Sequence, residues 1–165
     1  MKNNMKRLFV TVLLFALAVS LISCNNAPDV PGAYEFKYGQ ITITVGAEAT
    51  PVLDAMGTPK IYDEEGNCGL GGMDRIYTYA GVELQTYEQG NKEIIRSVTV
   101  LDDSVSTPEG ITIGSDGAAV DAAYGTSYTP YNLSRVYQKG NVSLEIYFVG
   151  NKVSGIVYRE AESGN

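Results

Sequence analysis

Nineteen carboxylates, two thiols and no histidine set the chemistry that this 165-residue chain can attempt. Without imidazole there is no Ser-His-Asp or Cys-His nucleophile activation and no His-based zinc site. Carboxylate-only acid–base catalysis remains, and no pair of Asp or Glu has a spacing that demands it. Asp63, Glu64 and Glu65 gather oxygens but lack the alternating spacing of a calcium loop. Cys68 stands in EEGNCGLGGMD, residues 64–74, a glycine-rich loop with acids on both sides. Carboxylates beside a thiol disfavour the thiolate, so Cys68 reads as a small loop residue and a poor nucleophile. GLGG, residues 69–72, lacks the Lys-Ser/Thr ending and the strand-to-helix setting of a phosphate loop. The absence of tryptophan removes an indole platform for sugars. These residues predict a protein that is not an enzyme, with no catalytic residue, no metal site and no cofactor.

The second thiol has a different setting. The chain opens MKNNMKRLFVTVLLFALAVSLISC, with Lys2, Lys6 and Arg7 ahead of an apolar run from Leu8 to Ile22. A basic start followed by an apolar run too short to span a bilayer is the pattern of an export signal. The run ends in Leu21-Ile22-Ser23-Cys24, which resembles the bacterial lipobox. The resemblance implies a signal peptide over 1–23 and lipidation of Cys24 as the new N-terminus. It places the protein outside the cytoplasm, lipid-anchored to the cell membrane without spanning it. Each buried methylene of an acyl chain contributes about 0.8 kcal/mol, so two or three chains on one residue anchor durably. With Cys24 acylated, Cys68 has no intramolecular disulfide partner.

Removal of 1–23 takes away three of the twelve basic residues and no acid, leaving nine against nineteen, a net charge of −10. A polyanion does not seek nucleic acid or an anionic membrane surface. Residues 24–33 predict a short tether, and the remainder one globular domain.

That domain states its pattern twice. With Gly46 aligned on Gly114, Glu48 meets Asp116, Val52 meets Val120, Gly57 meets Gly125 and Thr58 meets Thr126. Each copy predicts a short β-branched strand ending at a glycine, then a helix with an acid in its first turn and a glycine stop. DRIYTYAGVELQTY, 74–87, then matches SRVYQKGNVSLEIY, 134–147, and EIIRSVTVLD and NKVSGIVYRE supply a last strand. AG at 80–81, QGN at 89–91, KGN at 139–141 and VGN at 149–151 mark the turns. The expected class is α+β: two tandem repeats, 34–103 and 104–161, each a strand, a helix and an antiparallel three-stranded meander. Side by side they form one sheet with helices on one face.

The phrases LDAMGTP, CGLGGMDRIYTY and LQTYEQGNKEIIRSVTVLDDSVSTPEGITIG look like those of a family of small lipoproteins of Gram-positive bacteria. In architecture the layout resembles the tandem-repeat fold of the β-lactamase inhibitor protein, which grips an enzyme with the helix-free face of its sheet. The resemblance implies that fold and no specific contact residues, and a fold alone does not assign a function.

Strand alternation sends Val82, Leu84, Val142, Leu144, Ile146 and Phe148 to one face, and Glu83, Gln85, Tyr87, Ser143, Glu145 and Tyr147 to the other. If helices cover the aliphatic face, Arg75, Tyr77, Tyr79, Tyr87, Arg135, Tyr137 and Tyr147 are the candidate open surface. Rigid aromatics with polar tips among Arg, Lys and Glu suit a protein partner. The same tyrosines also serve as cross-strand pairs that steady a solvated sheet. The expected function is non-enzymatic binding of an unidentified protein or peptide at the cell envelope. The alternative is a structural or assembly role without a ligand.

Overall fold

The computed structural model describes residues 32–66 and 72–161. The signal, Cys24, Cys68 and most of the tether lie outside the described residues. Within them the order is β1 (Phe36–Tyr38), β2 (Ile41–Ile43), α1 (Thr50–Met56), β3 (Ile61–Gly66), β4 (Met73–Thr78), β5 (Val82–Gln89) and β6 (Lys92–Val100). It continues with α2 (Gly117–Tyr124), β7 (Thr129–Tyr131), β8 (Ser134–Lys139), β9 (Val142–Val149) and β10 (Lys152–Glu160). β1 and β2 make a two-stranded hairpin. The other eight strands form one antiparallel sheet in the order β3-β4-β5-β6-β10-β9-β8-β7.

The mixed class read from the sequence is the one observed, with a large antiparallel sheet and two helices among the described residues. Three local expectations change. Each meander gains an outer strand, β3 or β7. β3 is written in acids and closes on a glycine, and β7 contains Pro130, so both score poorly as strands. Ile111 to Ile113 form no strand. The Ile111 amide instead donates to Thr107 Oγ1, and the Thr107 amide to the Ile111 carbonyl, which closes the segment on itself. Glu48 and Asp116 do not sit inside a first helical turn. Glu48 precedes α1 and pairs with Lys92 at 3.1 Å; Asp116 is the N-cap of α2 and turns to Lys152 at 2.8 Å. The glycine stops fall where expected, but with extended ψ of −153° and −176° rather than as left-handed helical caps. Gly57 and Gly125 have φ of 75° and 78°, a region that L side chains adopt only with strain.

Val52 of α1 and Val120 of α2 pack into one core with Leu84, Ile95, Leu144 and Ile156, so both helices cover the same sheet face. The two meanders meet at β6 and β10, where Ile156 faces Val100 and Tyr158 faces Val98. Ala33 is also buried, against the turn at Gly140, which ties the start of the domain to the sheet.

Candidate functional site

The seven surface candidates do not share one face. Tyr79 donates its amide to the Val82 carbonyl at 2.8 Å across the two-residue turn Ala80-Gly81. Residues flanking such a turn point the same way, so Tyr79 joins Val82. Tyr77 then lies opposite Leu84 and Arg75 opposite Thr86. In the second meander Lys139 faces Val142, Tyr137 faces Leu144 and Arg135 faces Ile146. Arg75, Tyr77, Tyr79, Arg135 and Tyr137 are therefore on the helix-bearing side, and only Tyr87 and Tyr147 are on the helix-free face. The length of each turn carried this signal, because an even turn fixes the relative faces of the strands it joins.

The five helix-side residues hold the fold. Tyr79 and Tyr137 are 6% and 2% exposed, and their hydroxyls donate to the carbonyls of Gly57 and Gly125 at the helix stops. Arg135 donates to Asp121 at 2.7 Å and to the Gly117 carbonyl at 3.3 Å, both on α2, with its guanidinium over Tyr128 and Phe148. Arg75 donates to Glu88 at 2.6 Å and also pairs with Glu64 at 3.6 Å and Glu93 at 3.9 Å. Glu93 accepts from Tyr77 at 2.8 Å and from Thr86 at 2.5 Å. The guanidinium of Arg75 holds the Glu88 carboxyl below its usual range.

The helix-free face carries two polar clusters. Arg96 donates to Asp74 at 2.8 Å and lies 4.8 Å over the Tyr87 ring. Glu145 is nearly buried and accepts from Arg159 and from the Tyr147 hydroxyl, while Arg159 also reaches Tyr147 Oη at 3.1 Å. Burial, then the adjacent carboxylate, raises the pKa of Tyr87 (beside Glu160) and of Tyr147 (beside Glu145), so both hydroxyls stay protonated donors at neutral pH. A β-bulge between Gln85 and Thr86 in the β5–β6 register aims Arg96 at this face. Alternation alone could not find Arg96, since the bulge breaks its period. At the β3 end of this face is a cleft of about 270 Å³, with Asp63, Glu65, Asp74, Ile76, Gln85 and Arg96 in its lining. Among the described residues no group of three or more Cys, Asp or Glu is arranged to hold a metal ion.

No family model, curated protein or solved structure matches this chain.

Proposed function

We propose that this is an exported lipoprotein, anchored through Cys24, that binds a protein or peptide with the helix-free face of its sheet. The observation that carries the reading is a sheet face that no helix among the described residues covers, on which Tyr87 and Tyr147 stand beside Arg96 and Arg159. Aromatic side chains with polar tips next to arginine are what protein interfaces concentrate. The tandem-repeat reading, with its likeness to the β-lactamase inhibitor protein fold, belongs to the same proposal. It is supported by a strand order that runs inward to β6 and β10 from both edges. The paired contacts Glu48–Lys92 and Asp116–Lys152, at matching places before the two helices, support it too. One observation favours a purely structural envelope role instead: the polar tips on this face are already joined to neighbours within the chain.

Crosslinking capture from native membranes separates the two. Under the binding reading, a partner held by the wild type is lost from a folded Tyr87→Ala, Tyr147→Ala double variant and retained when the helix-side Arg75 is replaced by Lys. Equal capture by all three excludes the helix-free tyrosines. In the same cells Cys24→Ala should abolish incorporation of an alkyne-labelled fatty acid and release the protein from the membrane fraction.

A further inference from the structure

β3 is the first strand of the sheet, so β4 satisfies one of its edges and no strand among the described residues lies along the other. All six of its residues are exposed. An open edge of that length presents backbone donors and acceptors to any extended chain. The Glu64 amide already donates to Asp63 Oδ1 at 2.9 Å, and an added strand has to displace that bond. Its side chains narrow the choice of chain. Ile61, Asp63 and Glu65 share the helix-free face, since their partners on β4 are Thr78, Ile76 and Asp74. Ile61 is 62% exposed. Tyr62 and Glu64 point to the other side, where Glu64 accepts from the Tyr62 hydroxyl and pairs with Arg75. Glu64 is thereby compensated. Asp63 and Glu65 have no such cation: among the described residues neither stands within ion-pair distance of one, Asp63 accepts the Glu64 amide, and both stand on the rim of the 270 Å³ cleft. Alternate residues on a strand are about 7 Å apart, so these two carboxylates match cations at alternate positions of a strand laid beside them.

We propose that the outer edge of β3 docks an extended basic segment of a partner protein as an added antiparallel strand. Cationic side chains lie opposite Glu65 and Asp63 and an apolar one opposite Ile61. The stems of the cations cross the rim toward Ile76 on the cleft wall. A second copy of this chain is a poor occupant, because antiparallel pairing of two β3 strands sets acids against acids. The proposal rests on the protein-binding reading but not on Tyr87 or Tyr147.

The test uses the lipid-free mature chain and a fluorescent acetylated peptide amide, Gly-Arg-Thr-Lys-Thr-Val-Gly. Controls carry Glu at both cationic positions, or N-methyl groups on alternate backbone nitrogens. The expected result is saturable anisotropy with the basic peptide below about 1 mM and slowed amide exchange along 61–66. Binding should weaken about fivefold in Asp63→Asn, Glu65→Gln. Asp63→Lys, Glu65→Lys should transfer the preference to the acidic peptide. Tyr87→Ala, Tyr147→Ala should bind the basic peptide normally. Equal binding of the acidic or N-methylated peptide overturns the proposal, as does no binding. The carboxylates of β3 would then be guards against edge pairing. Failure here with loss of a native partner in the tyrosine variant would leave the face reading intact.

Discussion

At the scale of single residues, a carboxylate is buried where the alternation places it facing solvent. Glu145 points away from the helices, yet it is only 6% exposed because Arg159 and Tyr147 close over it. Replacing it with Gln keeps the shape and removes the charge that Arg159 faces. The Arg159 side chain is 38% exposed, so water screens part of that loss. The expected cost of Glu145→Gln is about 1–2 kcal/mol, read as a lower midpoint in urea unfolding with an unchanged slope. No change in midpoint would mean that the cluster contributes nothing net to stability. Arg75 teaches a related point. Its type and spacing were readable in the sequence, but its three carboxylate neighbours come from β3, β5 and β6 and meet only in the folded sheet.

At the scale of elements, the inner strands were legible and the outer ones were not. β5, β6, β9 and β10 alternate or run apolar between glycine-containing turns, and burial on the helix side enforces that pattern. β3 and β7 lie at edges, where half the ladder is missing and acids or Pro130 are tolerated. The seam between β6 and β10 is the element-scale weak point, since it is the only strand pairing that joins the two meanders within the described sheet. Ile156 at that seam is fully buried. Ile156→Ala should cost about 2–5 kcal/mol, whereas Ile61→Ala on the exposed edge should stay within about 0.5 kcal/mol. Comparable losses at both sites would place β3 in a packed environment and count against a free edge.

For the whole molecule, titration behaviour follows from what is missing and what is buried. With no histidine, stability should be nearly flat from about pH 6 to about 9. Burial, reinforced by Glu93 for Tyr77 and by Glu109 for Tyr124, raises both hydroxyl pKa values far above the ordinary 10.0. A raised acid gives stability that is complete below the unfolded value and lost as pH climbs past it. Melting temperature should therefore fall above about pH 10, and the share of tyrosinate absorbance that Tyr77→Phe, Tyr124→Phe removes should appear together with unfolding. Glu88 has the opposite sign. Arg75 lowers its pKa from 4.5, so its contribution is present above that value and fades as pH drops below it. If the tyrosinate share of Tyr77 and Tyr124 rose well before unfolding, it would contradict the shielding of these two rings.

The sequence alone determined what depends on residue type and local spacing: the missing histidine and its excluded chemistries, the acidic balance, the signal-like start, the glycine helix stops and the inner strands. Each is a short-range property of a few neighbouring residues. Tertiary structure decided what depends on register. One hairpin turn at Ala80-Gly81 sends Arg75, Tyr77 and Tyr79 to the helix-bearing side, and a bulge sends Arg96 to the other face. Side-chain direction alternates with every residue, so a shift of one position exchanges the faces. Only the hydrogen-bonded pairing of distant strands fixes that shift.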